Sequence, residues 1–534
     1  MDRLKRLSSL DWVLVGATIT ATALMVRTVF IQGIGYDAAF EMEAFLTVSD
    51  IPGGSTLTEA YDIAPITSEF YGLLTFQLAS LIAALFGTTL SPDTFFSYLV
   101  HHLVVAVLAL VGASAAGFGV AAALRSRTAG LFTAALIMFT PLWLGMGAMN
   151  YKDIPVAAGL SLLSWALILL GGNQAKPVRT WILALTAGSL GAFIALGTRA
   201  GAIALVVALI GATAGIRLIS GITKGSLKPF ARTLTLGASA ITVTTLGLIA
   251  TNPIARINIV QWMQDSISIS SNYIWVGLVR TAGQDLPSDQ LPWWYAPIWL
   301  LAQLPVLTTL AILIGLITLV AVATRGHVKG LSRSDVLQMS PLLIQGWVLP
   351  VVVIATGAVL YDGIRHLSFM LPGIIATAAI PIAAFQRQST TNSSSTSRWQ
   401  RVVVTVSIIV VAASAFATVR WFPYSYAFIN PVAGAQKDPR AWELDYWGLT
   451  TREGVTRLRA EGLDPIAVAP APETGRPFSV VNGEAANAAT ATTGEPHGVY
   501  VFRRWDAVFR QDWCTRTFII QRDRQTLGEG GTCP

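Results

Sequence analysis

The sequence predicts an all-α polytopic membrane domain of about eleven transmembrane helices, followed by a small C-terminal extracytoplasmic α/β domain. Apolar residues make up 53% and charged residues only 12% of its 534 residues, whereas about 25% of a soluble protein is charged. The shortage of charge ends near residue 420, because residues 420–534 carry 13 basic and 13 acidic side chains. We therefore predict a transmembrane domain at 1–419 and an extracytoplasmic domain at 420–534. The composition excludes a soluble enzyme and a disordered chain and, despite a net charge of +7, a nucleic-acid-binding protein.

Eleven apolar runs have about the length of 17–25 residues that a helix needs to cross a bilayer. They lie near 11–34, 98–124, 128–147, 154–172, 180–197, 199–219, 233–251, 297–324, 339–358, 366–386 and 401–419. A further segment, 66–87, carries Glu69 and Gln77 and has its polar residues on one side. This pattern favours an amphipathic helix lying on the membrane, although a twelfth span is the alternative.

The basic residues of the membrane domain predict its orientation in the cell membrane. With eleven spans, 17 of them fall on the side of the N-terminus and six on the other side. Because cytoplasmic loops are enriched in Lys and Arg, we predict a cytoplasmic N-terminus and an extracytoplasmic C-terminal domain. The outer basic residues oppose this trend and each needs a reason: Arg27, Lys152, Arg199, Arg256, Arg280 and Arg365.

Both cysteines of the chain, Cys514 and Cys533, lie in the predicted extracytoplasmic domain. An oxidising compartment permits a disulfide, and we predict one between them. The alternative is two unpaired thiols.

The first outer loop is strongly acidic. It begins with GYDAAFEME (35–43), and from there to about residue 97 it holds eight acidic residues and no Lys or Arg. A carboxylate fixed at a helix end can accept the proton of a substrate hydroxyl. Asp37 lies closest to the membrane and is the predicted catalytic base, with Glu41 and Glu43 as further candidates. The alternative is a solvated acidic loop.

Two histidines, His101 and His102, stand at the start of the second apolar run. Together with the acidic loop they could hold a divalent cation, although their spacing matches no known cation site. The sequence establishes no cofactor, and His102 is retained as a candidate site residue.

Two further outer turns each carry a cation. In MNYKDIP (149–155), Lys152 and Asp153 precede a helix start, where the helix dipole also attracts an anion such as a phosphate. The alternative for Asp153 is a helix N-cap. In GTRAG (197–201), Arg199 stands between glycines. It is a second predicted phosphate ligand, unless it only reaches towards lipid headgroups.

A fourth motif, YDGIRH (361–366), brings Asp362, Arg365 and His366 within five residues of each other. The guanidinium fork matches the oxygens of a phosphate, so we predict Arg365 and His366 as phosphate ligands. The alternative is an Asp362–Arg365 pair that only ties the loop.

These motifs predict carboxylates and cations at helix ends on the outer membrane face. A lipid-phosphate-linked sugar fits such a site, since it combines an anionic phosphate, a membrane-embedded tail and a reactive group outside. A transporter or lipid flippase is the alternative, but it needs polar groups near mid-membrane, and the runs have few. A receptor or assembly scaffold would explain the C-terminal domain but not the outer cations.

Taken in order, the motifs resemble the GT-C glycosyltransferases, and among them bacterial members of the superfamily of protein O-mannosyltransferases and lipid A aminoarabinose transferases. The stretches that carry the resemblance are Asp37, NYKDIP (150–155), LPWWYAPIWL (291–300), YDGIRHLSFMLPG (361–373), PYSYAFINPVAG (423–434) and ELDYWG (443–448).

The resemblance implies an outer active site, a polyprenyl-phosphate-linked sugar as donor, and inversion at the anomeric carbon. Asp37 matches the position at which the family has its catalytic base. Family members often have Asp-Glu there, whereas Ala38 follows Asp37 in this chain. The sugar and the acceptor, whether glycan, lipid or protein, are left open. Membrane lipids are expected partners and nucleic acid is not.

Overall fold

The computed structural model describes residues 8–35, 37–64, 70–271, 277–328, 330–389, 396–463, 466–469, 497–502 and 515–533. Its first half contains eleven helices, which are α1 (Ser9–Ile31), α2 (Ala38–Ser49), α3 (Leu57–Ile63), α4 (Leu74–Leu85), α5 (Phe95–Leu124), α6 (Arg127–Met138), α7 (Pro141–Gly147), α8 (Ile154–Leu169), α9 (Val178–Thr198), α10 (Ile203–Lys224) and α11 (Lys228–Thr251).

The second half contains eleven more helices and the described strands. The helices are α12 (Pro253–Ile257), α13 (Ile259–Ser271), α14 (Tyr295–Gln303), α15 (Val306–Arg325), α16 (Arg333–Gln338), α17 (Ser340–Leu343), α18 (Leu349–Ala355), α19 (Leu371–Thr377), α20 (Ile380–Ser389), α21 (Thr396–Arg420) and α22 (Thr451–Ala460). The strands are β1 (Leu278–Thr281), β2 (Gln284–Pro287), β3 (His327–Val328), β4 (Leu331–Ser332), β5 (Ile466–Ala469), β6 (His497–Phe502), β7 (Thr515–Arg522) and β8 (Gln525–Cys533).

The apolar helices agree with the predicted runs and make the chain a multi-pass membrane protein. Within the described ranges, eight helices are long and apolar enough to cross a membrane: α1, α5, α9, α10, α11, α15, the unit Arg365–Arg387 that contains α19 and most of α20, and α21. The pair α6–α7 adds a ninth, bent by 66°. Two shorter apolar helices, α8 and Ser340–Ala355, account for the remaining two runs.

The bend between α6 and α7 has a cause in the sequence. Pro141 occupies the first turn of α7, and Thr140 before it is extended, with φ −68° and ψ 121°. A proline disfavours the helical conformation in the residue that precedes it. The span is therefore interrupted at this point.

The segment predicted to lie on the membrane contains α4, which has 12 residues and is therefore about 18 Å long, shorter than the ~30 Å hydrocarbon layer. Its buried side chains include Thr75, Phe76 and Ala79, and the side-chain amide of Gln77 donates to the carbonyl of Thr251. Residues 65–69, with Glu69, lie outside the described part. In the described part, α4 is a short helix packed against the bundle.

Glycines let α8 and α9 approach closely near the middle of the membrane domain. A Cβ at Gly159 would lie 2.4 Å from the Gly191 carbonyl oxygen, and one at Gly191 would lie 2.5 Å from that of Gly159. Small residues permit such contact between membrane helices. The contact fixes the start of α8 relative to the end of α9, and these two ends carry the charged residues of the site.

The chain after α21 first packs onto the membrane domain and then forms a sheet. The Gly33 amide donates to the Leu449 carbonyl (3.1 Å), and a Cβ at Gly145 would lie 2.1 Å from the Tyr426 amide nitrogen. The sheet has the order β5-β6-β8-β7, with β5 and β6 parallel and the other pairs antiparallel.

Helix α22 packs against the sheet through Gly454 and Tyr500, which confirms the predicted small C-terminal α/β region. The domain boundary at residue 420, where α21 ends, stays a prediction. Cys514 lies outside the described residues, so the Cys514–Cys533 disulfide also stays a prediction.

Candidate active site

The NYKDIP turn is organised by a buried asparagine. The Asn150 side-chain oxygen accepts hydrogen bonds from the Lys152 amide (3.1 Å) and the Asp153 amide (2.9 Å), and its Nδ2 donates to Asp153 Oδ2 (2.9 Å). Asp153 stands at the N-cap position of α8 but makes no capping side-chain hydrogen bond. Asp153 therefore occupies the N-cap position, as the alternative interpretation predicts, but its carboxylate serves another partner.

That partner is Arg199. Its Nη1 lies 2.7 Å from Asp153 Oδ1, with the arginine side chain 29% exposed and the aspartate 4% exposed. Arg199 directly follows α9 in an extended conformation, and its backbone pairs with that of Tyr71. The guanidinium also lies 5.9 Å from the centre of the Tyr71 ring. Arg199 is thus held between a carboxylate and an aromatic ring while part of it stays accessible.

Lys152 lies against the acidic helix α2. Its ammonium group forms an ion pair with Glu41 and lies 5.1 Å from the Tyr71 ring centre. Burial alone would lower the pKa of Lys152, but the negative charge of Glu41, with a smaller contribution from Asp37, raises it well above its usual value. Lys152 therefore stays cationic. Asp37 precedes α2 by one residue and makes no capping side-chain hydrogen bond, and Glu41, four residues on, lies on the same helix face.

The YDGIRH turn is largely buried. Asp362 has φ +58° and Gly363 has φ +68°, the left-handed region. The Tyr295 hydroxyl fixes the turn by donating to the Gly363 carbonyl (3.1 Å). Arg365 Nη2 lies 3.1 Å from Asp362 Oδ2, with both side chains buried.

Aromatic rings surround the Arg365 guanidinium. Its carbon lies 4.7 Å from the Tyr361 ring centre and 5.0 Å from that of Trp447. Its Nε and Nη1 have no hydrogen-bond partner among the described residues. The next residue, His366, packs edge-on against Tyr361, with 4.5 Å between ring centres.

Two adjoining cavities lie between these residues. The larger, of about 240 Å³, is lined by the polar residues Tyr71, Asp153, Arg199, Tyr361 and His366. Its apolar wall includes Val156, Leu205, Ile267, Val353, Val359 and Phe369. The smaller, of about 20 Å³, is lined by Glu41, Tyr71, Tyr151 and Lys152 among others. Because Tyr71 lines both, a ligand in the larger cavity would lie near Arg199 and within electrostatic reach of Lys152.

The structure thus brings together a subset of the predicted residues. Glu41, Lys152, Asp153, Arg199 and His366 line the two cavities. Five other candidates line neither cavity. Asp37 precedes α2 and Glu43 lies within it, Asp362 and Arg365 lie beside Tyr361, and His102 is buried in α5.

No group of three His, Cys, Asp or Glu side chains in the described ranges is arranged to hold a metal ion. The His101 ring instead stacks on Phe76 with 3.9 Å between ring centres, and its Nε2 lies 3.2 Å from Thr75 Oγ1. The two histidines therefore pack among neighbouring side chains in this structure.

Sequence reasoning missed the tyrosines of the site. Tyr71, Tyr151 and Tyr361 contact the cations or line the cavities, but only the charged residues of their motifs were singled out. Tyr151 and Tyr361 could have been selected from the sequence, because each stands in a motif beside a predicted ligand. Tyr71 gave no such signal, because its strand-like pairing with Arg199 joins residues 128 positions apart.

The helices, the charged cavity at one end of them and the small C-terminal sheet together define a multi-pass membrane protein with the fold of the GT-C glycosyltransferases. Among solved structures, ArnT from Cupriavidus metallidurans in the apo state is similar, with a TM-score of 0.52 and 12% identity over 97% of both chains. ArnT of the same organism bound to undecaprenyl phosphate gives a TM-score of 0.50 and 12% identity over 98% of both chains.

The Archaeoglobus fulgidus oligosaccharyltransferase tethered with an acceptor peptide gives a TM-score of 0.47 and 12% identity, over 84% of this chain and 58% of that one. No protein-family model and no curated protein sequence matches the chain. The similarity to ArnT confirms the predicted GT-C architecture.

Proposed function

We propose that this protein is a membrane glycosyltransferase that moves a sugar from a polyprenyl-phosphate donor to an acceptor hydroxyl on the outer face, with inversion. The observation that carries the proposal is the pair of cations at the ends of different helices: Arg199 lines the larger cavity, which has an apolar wall, and Lys152 lines the small cavity that adjoins it. The fold shared with ArnT, a protein solved with undecaprenyl phosphate, supports the donor class.

The larger cavity suits the two parts of such a donor. Arg199 and His366 would meet the phosphate at the polar end, with Lys152 adding positive charge from the adjoining cavity. The apolar wall formed by residues such as Leu205, Ile267 and Val353 would contact the first units of the prenyl chain. A guanidinium gives the directional donors that a phosphate needs.

The chemistry we propose is a single displacement. Asp37 accepts the proton of the acceptor hydroxyl while that oxygen forms a bond to the anomeric carbon. The bond from the anomeric carbon to the phosphate oxygen breaks, and polyprenyl phosphate leaves with the electron pair. Negative charge grows on the phosphate in the transition state, so the cations stabilise that state more than the ground state.

Arg365 takes a positioning role in this proposal. In the described conformation it lies beside Tyr361, paired with Asp362, and does not line the cavity. It would keep Tyr361 and His366 against the donor and add positive charge to the site. The sequence predicts Arg365 itself as a phosphate ligand, whereas the role proposed here is to position the neighbouring residues.

The two carboxylates at the start of α2 have different roles in this proposal. Glu41 is engaged by Lys152 and would hold that cation in place. Asp37, one turn earlier, lies near enough for its charge to raise the pKa of Lys152 and is the proposed base.

The test is turnover of Asp37→Asn in purified full-length protein in lipid nanodiscs. Polyprenyl-phosphate-linked hexoses and pentoses are supplied with envelope glycan and lipid extracts, and released polyprenyl phosphate is measured by mass spectrometry. We expect a loss of about 10²- to 10⁴-fold, the range for a general base. The control is Asp50→Asn, exposed at the far end of α2. Near-normal turnover of Asp37→Asn would exclude Asp37 as the base, and no turnover of wild-type protein with any donor would count against the whole proposal.

A further inference from the structure

A further cavity, apart from the two at the candidate active site, lies at the opposite ends of the helices that carry that site. Helix α9 has Arg199 directly after its last residue, whereas Gly171, Gly172 and Lys176 of this cavity precede its first residue. The 21 residues of α9 make it about 31 Å long. The cavity is therefore separated from the active site by about one membrane thickness.

The cavity is large, and most of the charged residues that line it are basic. Its volume is about 550 Å³, within the range of about 300–1,000 Å³ typical of ligand sites. Four basic residues line it: Arg125, Lys176, Arg217 and Lys224. We call it the basic cavity. The acidic residue in its lining, Asp335, forms its ion pair with Arg387, which is not in the lining, at 2.8 Å.

Arg217 shows that this is more than a solvated basic surface. Its side chain is buried, with 7% exposed, and donates to the Thr233 hydroxyl (2.7 Å) and to the carbonyl of Leu167. Among the described residues no carboxylate lies within ion-pair distance of it. A buried charge without a counter-charge is costly, so a structure that keeps one beside a cavity favours an anion there.

The neighbouring backbone is shaped to admit this guanidinium. A Cβ at Gly171 would lie 3.1 Å from Arg217 Nη2, closer than a side chain there would ordinarily come. Arg232, also buried, donates to the carbonyls of Gly172 (3.0 Å) and Gln174 (2.9 Å). These hydrogen bonds hold the turn that carries Lys176.

The electrostatic effect on Lys176 agrees with an unneutralised cavity. Burial lowers the pKa of Lys176, and the positive charges of Arg232 and Arg217 lower it further. An anion placed among these groups would oppose that effect and favour the charged lysine.

We propose that the basic cavity binds the phosphate group of an anionic ligand, at a site separate from the sugar-transfer site. Two sources share this chemistry: the headgroup of an anionic phospholipid, which basic pockets between membrane helices bind, and a soluble phosphate. The buried Arg217 supplies the directional contact, and the more exposed Lys176 and Lys224 add positive charge.

The experiment measures ligand binding to delipidated full-length protein in a neutral detergent. Phosphatidylglycerol, phosphatidylcholine and inorganic phosphate are added separately, and bound ligand is counted by native mass spectrometry. The variants are Arg217→Gln, Lys176→Gln and Lys224→Gln. The matched control is Lys228→Gln, an exposed lysine at the same end of the bundle that does not line the cavity.

We expect one tightly held phosphatidylglycerol in wild-type protein and in Lys228→Gln. Its affinity should fall about tenfold in Arg217→Gln, the effect of losing one charge-assisted hydrogen bond, and less in the two lysine variants. If Arg217→Gln does not fold, the exposed Lys224 and half-buried Lys176 still test the site. Inorganic phosphate that binds and displaces the lipid supports the site with a soluble source. Equal binding by all variants, or equal binding of phosphatidylcholine, would overturn the proposal.

Discussion

Replacing Arg199 by glutamine tests whether this arginine acts on the donor or only on its neighbour. The Arg199 side chain pairs with the buried carboxylate of Asp153 at 2.7 Å, and it also lines the cavity proposed for the donor phosphate. Arg199→Gln removes both. A second substitution, Asp153→Asn, allows the two effects to be measured apart.

The stability effect follows from the burial of the pair. Removing one partner of a fully buried ion pair costs about 3–5 kcal/mol, and an exposed pair contributes about 0–1 kcal/mol. Asp153 is buried and Arg199 partly exposed, so we expect an intermediate loss of about 2 kcal/mol in Arg199→Gln. The double variant leaves no buried carboxylate unpaired and should recover most of that loss.

Turnover, unlike stability, should stay low in the double variant. Losing one donor to a developing oxyanion costs about 2–4 kcal/mol, or roughly 30- to 1,000-fold in turnover. The assay compares released polyprenyl phosphate with thermal stability, by intrinsic fluorescence, for the wild type, both single variants and the double variant. Recovery of both quantities in the double variant would refute a role for Arg199 on the donor and leave it as the partner of Asp153.

Three further outcomes are expected. Glu41→Gln should weaken binding of undecaprenyl phosphate, measured by microscale thermophoresis, by severalfold, since Lys152 loses the carboxylate that holds it; unchanged binding would contradict this role. Gly145→Ala should lower stability by about 1–3 kcal/mol, because its Cβ would overlap the Tyr426 amide, while Gly16→Ala, with open space around it, serves as the control. Burial raises the pKa of Asp445 to about 7, above the unfolded value of about 3.9. The folded chain then holds a proton that the unfolded chain has released, so this carboxyl should make stability fall as pH rises from 4 to 7. Asp445→Asn should flatten that dependence of the thermal midpoint, and an unchanged slope would contradict it.

The positions of charges along the chain predicted more of the site than the identity of any single residue. Lys152, Asp153 and Arg199 could be selected because they interrupt apolar runs at helix ends, and helix ends on one membrane face lie at a common depth. Which charges pair across elements could not be selected in this way. Glu41 contacts Lys152 across 111 positions of sequence, and that contact depends on the tertiary placement of α2 beside the turn that precedes α8.

The basic cavity illustrates the same limit. Its arginines and lysines contributed to the excess of positive charge that predicted the orientation, but the pattern did not distinguish the buried Arg217 from the exposed Lys228. Burial depends on the approach of neighbouring helices, which Gly171 permits.

The sequence by itself determined that the chain is a bundle of membrane helices with a small C-terminal α/β region and charged groups at the helix ends. It did so because the cost of placing charge in hydrocarbon acts on each segment separately and leaves a local record in composition. Only the tertiary structure decided which of those charges line the two adjoining cavities, that Tyr71 lines both, and that Arg365 lies beside Tyr361 rather than in the cavity lining. These features depend on close packing between helices far apart in the chain, where glycines and side-chain volumes fix the distances and no local pattern records the outcome.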